Sequence, residues 1–449
     1  MQSFEIDKSD VLKVKNALLA GDEILKEVLE DYHASEIAII FERLDKSERQ
    51  HIINLLPSET ASEIISEMDE ESHPEDILFQ LHPDKRTEIV EELDYDDATD
   101  IISQLEVHEQ KEILEDLNEE DASNIRNLLT YHEKTAGGLM NTDLICVNIN
   151  LTKKDAIDEI IRQSEEMEEF YTIYVVDDEE TFKGIVSLKD IIKAKHNAQI
   201  TELVKVDAVY VHPDTDQEEV ANLISQYNLT SIPVIDNHQK LLGRVTFDDV
   251  IDVMEAESTE DILKISGVSE DEELSGNWVE AVKSRLPWLI INLGTAFLAS
   301  SVVRYFDPTI KLIPSLAAYM TIIAGMGGNA ATQALAVTVR RISLYDLTDK
   351  QAYRTVLKEF TVGLINGATN GLIVFLFAFL FDGNPMLGLV IFLAMTGNLV
   401  IAGVTGAGIP LILKRVGIDP AIASSIIITT FTDVFGFLLI LGLASKLLL

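Results

Sequence analysis

The sequence predicts a multidomain membrane protein of the α plus α/β class, in which a large acidic soluble part precedes five transmembrane helices. Three observations predict this architecture. Long apolar segments occur only after residue 286, a short motif recurs every 12 residues near the N-terminus, and a second repeat alternates strand and helix patterns. Apolar segments of about 20 residues are long enough to cross a bilayer core of about 30 Å.

The N-terminal repeat lies in residues 33–131, where a leucine or methionine recurs every 12 residues, with a single step of 13. Turn-forming residues such as Pro57 and Asn118 follow several of these positions. The pattern predicts a right- or left-handed superhelix of short helices, two in each unit of about 24 residues, that acts as a scaffold or regulatory surface. The repeating residues are Leu44, Leu56, Met68, Leu81, Leu93, Leu105, Leu117 and Leu129.

A second repeat relates residues 175–190 to residues 234–249, which follow 59 positions later. Each copy predicts a strand, an Asp-containing turn, a second strand and a helix. Ser187 and Thr246 stand where the two helices would begin, and hydroxyl side chains are favourable N-caps.

An acidic helix is predicted after the second copy, over residues 248–267, where seven carboxylates accompany a single cation, Lys264. Like charges at helical spacing destabilise an isolated helix by a few tenths of a kcal/mol per pair. Such a run is usually a solvated face. Its place between a repeat module and a membrane domain favours a second interpretation, in which a bound cation neutralises it.

Five apolar segments, at about 287–303, 312–339, 360–381, 386–413 and 421–448, predict five membrane spans. Nine Lys and Arg residues flank one side of these spans and three flank the other. The positive-inside rule therefore predicts a multi-pass plasma-membrane protein with its N-terminus in the cytoplasm and its C-terminus outside.

Asp433 is the most informative residue, because it lies in the middle of the last apolar segment with no cation nearby in the sequence. An acid at this depth costs about 2.5–3.5 kcal/mol on insertion scales, so it usually faces a water-filled path. A structural role, as a buried Asp that holds helices together, is the alternative.

The segment AGMGGNAATQ of the second span offers Gly328, Asn329, Thr332 and Gln333, which supply only oxygen ligands suited to Mg²⁺. Close helix packing through small residues is the alternative explanation for this segment.

Charge and composition exclude several classes of function. Of 35 Lys and Arg residues, 11 lie in 284–449, against 7 of the 76 Asp and Glu residues, so residues 1–283 carry a net charge of −45. This charge argues against nucleic-acid binding, which needs a basic surface. The single cysteine, Cys146, excludes a disulfide within the chain, and the first ten residues predict no cleavable signal peptide. An enzyme is not expected, since histidines lack metal-ligand spacing and no phosphate-binding glycine loop is present.

The 175–190 and 234–249 repeat resembles a pair of cystathionine-β-synthase (CBS) domains, over about 136–254. Such pairs often sense ATP or another adenine nucleotide, and the resemblance implies a nucleotide contact at Ser187, Asp190 and Thr246, with Asp249 beside it. Helix capping accounts for these residues equally well.

The whole chain, through GMGGNAATQ, KRVGIDPAIAS at 414–424 and TTFTDVFGF at 429–437, resembles the MgtE-type magnesium channel family. The resemblance implies four parts: a helical superhelix (1–131), tandem CBS domains (132–253), an acidic connecting or plug helix with its linker (254–283) and a five-helix transmembrane domain (284–449). It also implies a homodimer whose pore is lined by the second and fifth spans.

The resemblance implies a set of Mg²⁺ ligands. In the pore, Asp433 of both chains would bind the hydrated ion beside Asn329 and the carbonyl of Gly328. In the cytosol, Mg²⁺ would bridge acidic residues and hold the pore shut. These sensing residues would be Glu63, Asp96, Asp100, Asp216, Glu218, Asp249, Asp252, Glu257, Glu260, Asp261 and Asp419.

Three departures from the family pattern bear on this assignment: Ala331 where Gly is common, Ser425-Ile426 before TTFTD, and Asn228 at a CBS position that can be acidic. The expected function is a Mg²⁺-selective channel gated by intracellular Mg²⁺. A Na⁺-coupled or broader divalent-cation carrier is the second hypothesis. The third is a membrane-anchored regulator that senses a nucleotide or an ion.

Overall fold

The computed structural model describes residues 6–69, 72–164, 170–269, 277–345, 347–422 and 425–449. The chain divides into two compact units, Met1–Met254 and Glu255–Leu449. Each unit has hydrophobic cores of its own.

Ten short α-helices occupy the described residues at the start of the first unit, and side-chain caps determine where several of them begin. Asp7, Asp45 and Asn118 each accept hydrogen bonds from backbone amides of the first turn, which would otherwise lack partners. Their bounds are α1 Lys8–Ala20, α2 Asp22–Leu29, α3 Ala34–Phe41, α4 Lys46–Leu55, α5 Ser58–Ser66, α6 Pro74–Phe79, α7 Pro83–Glu92, α8 Tyr95–Ser103, α9 Val107–Asp116 and α10 Glu119–Leu128.

The 12-residue repeat encodes the core of this helical stack. Seven of the eight repeating residues, from Leu44 to Leu117, are buried, and Leu129 packs against the same core while partly buried. Burying one such side chain contributes about 1.5–3 kcal/mol. One continuous core extends from Val11 to Ile125, so the predicted stack of short helices is confirmed.

The rest of the first unit is an α/β module with two small sheets. A three-stranded sheet consists, in order, of β1 (Cys146–Asn148), β2 (Thr172–Val176) and β3 (Phe182–Ser187), with β1 parallel to β2 and β2 antiparallel to β3. In a second sheet, β4 (Ser231–Ile235) pairs antiparallel with β5 (Leu241–Thr246). Thr172 faces Ser187 in one hairpin and Ser231 faces Thr246 in the other, so the two copies share a register. The helix bounds are α11 Lys153–Gln163, α12 Leu188–Lys193 and α13 Gln217–Tyr227.

Helix α14, Phe247–Ser266, follows β5 directly and confirms the acidic helix predicted over 248–267. Residues 270–276 of the predicted connecting segment lie outside the described residues.

Within its described residues, the second unit contains five helices that are long and apolar enough to cross a membrane, as predicted. The helices Trp278–Tyr305, Asp349–Asp382 and Pro385–Arg415 extend beyond their predicted spans at both ends, because hydropathy detects only their apolar middle. The helix Leu316–Leu344 begins and ends later than predicted, and Ser425–Leu447 is shorter than the predicted 421–448. The 34 residues of Asp349–Asp382, helix α18, extend about 51 Å, so its polar first turns continue beyond the bilayer core. The bounds are α15 Trp278–Tyr305, α16 Asp307–Leu312 (a short connecting helix), α17 Leu316–Leu344, α18 Asp349–Asp382, α19 Pro385–Arg415 and α20 Ser425–Leu447.

Helix α19 is the central helix of the second unit. In the 18-residue apolar stretch of α19, 56% of the residues are buried, against 6% in the corresponding stretch of α15. Small residues permit this packing: a Cβ on Gly367 of α18 would lie 2.7 Å from the Cα of Thr396 on α19. Such close approach through glycine is the usual way in which membrane helices pack.

Candidate ion site and acidic clusters

Asp433 lies in the middle of α20 with a half-buried carboxylate. The hydroxyls beside it bond to the backbone of their own helix: Thr430 donates to the Ile426 carbonyl at 2.7 Å and Thr432 to the Thr429 carbonyl at 2.9 Å. Within the part of the chain that the structure describes, no hydrogen bond or ion pair reaches the carboxylate. Asp433 is therefore available to a cation.

The glycine segment of α17 packs against the same stretch of α20. A Cβ on Gly327 would lie 3.2 Å from the Cβ of Thr432, and one on Gly328 would lie 3.3 Å from the methyl group of Thr429. The structure thus brings the backbone of α17 at Gly328 alongside the turn of α20 that carries Asp433. The next residue, Asn329, is exposed on the single chain.

Asn398 is a residue that the sequence analysis did not single out. It lies in α19, is fully buried, and donates from Nδ2 to the Ile323 carbonyl of α17 at 3.0 Å. A signal for it existed, because a polar side chain within an apolar span usually needs a partner there.

An acidic cluster in the first unit joins α8 to the start of α14. Asp96 is buried and accepts a hydrogen bond from Nδ2 of Asn141 at 3.1 Å. Burial and the nearby carboxylate of Asp249 raise the pKa of Asp96 well above its usual range. Burial, with Asp94 and Asp249 nearby, raises the pKa of Asp97 to about 7. The structure therefore brings together the predicted residues Asp96 and Asp249, and adds Asp97.

The other predicted sensing residues of the first unit occupy its surface. Glu63 is exposed on α5, and Asp100 and Asp252 are exposed near the cluster on α8 and α14. Asp216 is the N-cap of α13 and accepts a hydrogen bond from the backbone N–H of Glu218 at 2.9 Å.

A second acidic cluster, in the second unit, contains Glu260, Asp261 and Asp419. The ammonium group of Lys264 forms ion pairs with Glu260 and, at 2.8 Å, with Asp419. Asp261 accepts a hydrogen bond from the hydroxyl of Ser343 at 3.1 Å. Burial raises the pKa of Asp261, and nearby Asp419 adds to the effect. The predicted acids are thus together, with a lysine already among them, while Glu257 lies half-buried on α14.

These clusters fit Mg²⁺ as a hydrated ion. Among the described residues of one chain, no group of three or more His, Cys, Asp or Glu side chains is arranged to hold a metal ion. Mg²⁺ keeps several of its waters and needs only one or two carboxylates. Carboxylates held together with raised pKa values supply such a donor set once they lose their protons.

A cavity of about 600 Å³ in the α/β module contains part of the predicted nucleotide site. Ser187 lines it, donates to Asp190 at 2.7 Å, and caps α12 through the Asp190 amide. Apolar side chains and two lysines form other walls. Thr246 lies outside this lining and bonds to Asp249. The walls include Tyr171, Ile185, Lys189, Ile192, Lys193, Asn228 and Leu229.

The raised pKa of Asp97 predicts how stability depends on pH. Between about pH 4 and its folded pKa of about 7, the folded chain keeps a proton that the unfolded chain has released. Without Mg²⁺, the free energy of unfolding should therefore fall as the pH rises across this window. A Mg²⁺ ion bound at this cluster would compete with that proton, so Mg²⁺ should raise the melting temperature of the full chain in detergent more at pH 8 than at pH 5.5.

Asp97→Asn should flatten this pH dependence, whereas Asp214→Asn, an exposed position of the same unit, should leave it unchanged. An equal Mg²⁺ effect at both pH values would contradict the assignment.

Family models match three consecutive parts of the chain. The model described as MgtE intracellular N domain matches residues 32–134, the CBS domain model matches 136–197 and 200–256, and the model described as divalent cation transporter (MgtE) matches 320–443. Their order agrees with the helical stack, the α/β module and the membrane helices.

Curated relatives match nearly the whole chain. It is 33% identical over 442 residues to the magnesium transporter MgtE of Thermus thermophilus, which covers 97% of this chain and 98% of the relative. It is 34% identical to the magnesium transporter MgtE of Enterococcus faecalis, covering 92% of this chain and 91% of the relative.

Two solved structures each match a little over half of the chain. The cytosolic domain of the Mg²⁺ channel MgtE in complex with ATP is 33% identical, with a TM-score of 0.52, and covers 54% of this chain and 99% of that chain. The soluble part of a magnesium transporter is 29% identical, with a TM-score of 0.50, and covers 56% of this chain and 97% of that one. With a helical N-terminal domain, tandem CBS domains and five candidate membrane helices in this order, the chain belongs to the MgtE family of magnesium transporters.

Proposed function

We propose that this transporter is a Mg²⁺-selective channel, with Asp433 as the ion site of its pore. The observation that carries the proposal is the carboxylate of Asp433, which has no ion pair or hydrogen bond among the described residues and lies on the turn of α20 that packs against the glycine segment of α17. In a bilayer such a carboxylate is costly unless it faces water or a cation. Asn329 and the carbonyl of Gly328 are the neighbouring oxygen ligands, and together they suit a hydrated Mg²⁺ ion.

The pore would lie on the two-fold axis of a homodimer. Asn329 and Gln333 are exposed on α17, although both lie within an apolar span of one chain. Polar groups that face lipid are expensive, so a second copy that faces them across water is the favourable arrangement. The axis also gives Asp433 a second carboxylate, from the partner chain.

Cytosolic Mg²⁺ would close this pore through the acidic clusters. Four parts would cooperate: the superhelix at 1–131, the CBS pair at 132–253, the connecting helix at 254–283 and the membrane domain from 284. Without Mg²⁺ the carboxylates repel one another, and Mg²⁺ replaces repulsion by bridging. Reversing a closed-to-open ratio from 99:1 to 1:99 takes about 5.5 kcal/mol, within reach of several bridging ions. The positive-inside rule places these clusters in the cytoplasm and the C-terminus outside.

Mg²⁺ flux into proteoliposomes, with and without a Na⁺ gradient, tests the proposal against its alternatives. A channel predicts flux that follows the Mg²⁺ gradient and does not require Na⁺. Flux that requires a Na⁺ gradient would identify a coupled carrier. Absence of Mg²⁺ flux would favour a membrane-anchored regulator.

Lys264 is expected to stabilise the closed state, because its ammonium group supplies a positive charge among the acidic residues. Its ammonium group already pairs with Glu260 and Asp419, as a bridging ion would. Lys264→Gln should leave these acids and Asp261 without that cation, so they repel more strongly and the closed state weakens. Flux at low cytosolic Mg²⁺ should then increase roughly five-fold, the equivalent of about 1 kcal/mol.

Lys350→Gln is the matched control for this variant, since Lys350 is an exposed cation at the start of α18. Flux assays over a range of internal Mg²⁺ concentrations would provide the comparison. Equal or lower flux in Lys264→Gln at low Mg²⁺ would show that the lysine does not support closure.

An adenine nucleotide is a second proposed ligand, supported by the cavity of about 600 Å³ at Ser187. Tyr171, Ile185 and Ile192 offer apolar walls for a base, while Lys189 and Lys193 can pair with phosphates. ATP titration calorimetry on the full chain should therefore detect binding. Lys189→Ala with Lys193→Ala should weaken it roughly ten-fold or more, whereas Lys195→Ala, outside the cavity lining, should not. Unchanged affinity in the double variant would remove the phosphate site from the proposal.

A further inference from the structure

Asn398 is a buried polar residue at the centre of the membrane unit with no part in the mechanism above. Its side chain lies at the junction of three helices, α17, α19 and α20. It bonds through Nδ2 to the Ile323 carbonyl, and its Oδ1 has no hydrogen-bond partner among the described residues.

Two glycines on the neighbouring helices make room for this amide. A Cβ on Gly327 of α17 would overlap Nδ2 of Asn398, and one on Gly436 of α20 would lie 2.9 Å from the same atom. Helices α17 and α20 therefore each contact the Asn398 side chain through a glycine. The amide fills a space that these glycines leave, and its bond to a backbone carbonyl fixes α17 along its axis in a way that apolar packing does not.

The junction is adjacent to the proposed ion site along both helices. Gly327 precedes Gly328 and Asn329, and it packs against Thr432, the residue before Asp433. We propose that Asn398 is a positioning residue, which holds α17 and α20 in the register that places their oxygen ligands around the permeating ion. This inference rests on the proposed function of Asp433 as the ion site.

Packing alone does not explain an amide at this position. A leucine has a similar volume and would fill the junction without burying an acceptor that lacks a partner, which is unfavourable in a protein interior. Residues that break such local rules are characteristic of functional sites. The amide therefore contributes through the hydrogen bond that it makes, and the bond connects α19 to the backbone just before the glycine segment.

Asn398→Leu tests the inference, because it keeps the volume and removes the bond. We expect the half-saturating Mg²⁺ concentration to rise about five-fold or more, and the ratio of Mg²⁺ to Ca²⁺ flux to fall by a similar factor, at unchanged melting temperature. Gly436→Ala adds a Cβ on α20 that crowds the same amide, so it should change both quantities in the same direction. Gly442→Ala, on the same helix with open space around its Cβ, should change neither.

A double variant that exchanges the sizes of residues 327 and 398 distinguishes the effect of the Asn398 hydrogen bond from the effect of the space that its side chain fills. Gly327→Ala alone should lower the melting temperature, because its new Cβ overlaps the amide. Adding Asn398→Ala should restore the melting temperature but not the Mg²⁺ to Ca²⁺ ratio. Folded Asn398→Leu and Gly436→Ala variants with wild-type half-saturation and selectivity would overturn the inference.

Asp433→Asn, assayed in parallel, distinguishes failure of the inference from failure of the proposed function. If Asp433→Asn abolishes flux while Asn398→Leu behaves as wild type, only the positioning role is wrong. Wild-type flux in Asp433→Asn would overturn both.

Discussion

Replacing Asp433 with asparagine should reduce Mg²⁺ flux through the reconstituted protein roughly 100-fold, the equivalent of about 2.7 kcal/mol. The substitution keeps the volume of the side chain and removes its charge. In a homodimer it removes one charge from each chain, so the ion site loses two carboxylates at once. The remaining oxygens, from Asn329 and the Gly328 carbonyl, are neutral and hold a hydrated divalent ion weakly.

Asp307→Asn is the control for this experiment. Asp307 begins the short helix α16 and pairs with Lys311 at 2.5 Å, away from the glycine segment of α17. It removes the same charge from the same unit and should leave flux unchanged. Wild-type flux in Asp433→Asn, at equal protein in the vesicles, would show that the ion passes elsewhere.

Replacing both Asp96 and Asp249 with asparagine should flatten the proposed response of the transporter to cytosolic Mg²⁺. Two effects both reduce the dependence of closure on Mg²⁺. Without its anionic ligands the cluster no longer binds Mg²⁺, so added Mg²⁺ no longer strengthens closure at this site. Without the repulsion between buried carboxylates, the closed arrangement is less unfavourable in the absence of an ion, so flux at low Mg²⁺ decreases. The ratio of flux at low Mg²⁺ to flux at high Mg²⁺ should fall about ten-fold or more, the equivalent of about 1.4 kcal/mol.

Asp207→Asn with Asp214→Asn supplies a double variant of equal charge at exposed positions of the same unit. It should retain the wild-type ratio, which separates the cluster from the general acidity of the domain. A wild-type ratio in Asp96→Asn with Asp249→Asn would contradict the sensing role of this cluster, although it would leave the pore assignment intact.

Features that depend on local periodicity could be predicted from the sequence. The 12-residue repeat predicts the helical stack because one face of each short helix is buried at that spacing. Leu129 is only partly buried because it lies at the end of the stack. The five spans could be predicted from their continuous apolar length, but their ends could not, since polar turns such as those at the start of α18 extend beyond the apolar segment.

Residues whose role depends on distant partners could not be predicted in the same way. Asp97 acquires a pKa of about 7 through burial and through acids that include Asp249, which is far along the chain. Lys264 is visible as the single cation of its stretch, but its pairing with Asp419 requires the folded loop after α19.

Asp433 and Asn398 show most clearly which polar residues of the membrane spans can be assigned a role from the sequence and which cannot. An acid in an apolar span can be recognised from the sequence, because its cost in lipid does not depend on the details of the fold. An amide in a span is less costly and is often satisfied within its own helix. Only the structure shows that Asn398 bonds to another helix, at Ile323, and that two glycines accommodate it.

Electrical recording of Mg²⁺ currents across a planar bilayer that contains the wild-type protein would show whether it is a Mg²⁺-gated channel. With Mg²⁺ as the only permeant cation and no Na⁺ present, the account predicts unitary currents that close as Mg²⁺ is added on the side of the acidic domains. These currents should be absent in Asp433→Asn. Currents that need Na⁺, or that persist at high Mg²⁺ on that side, would contradict a Mg²⁺-gated channel.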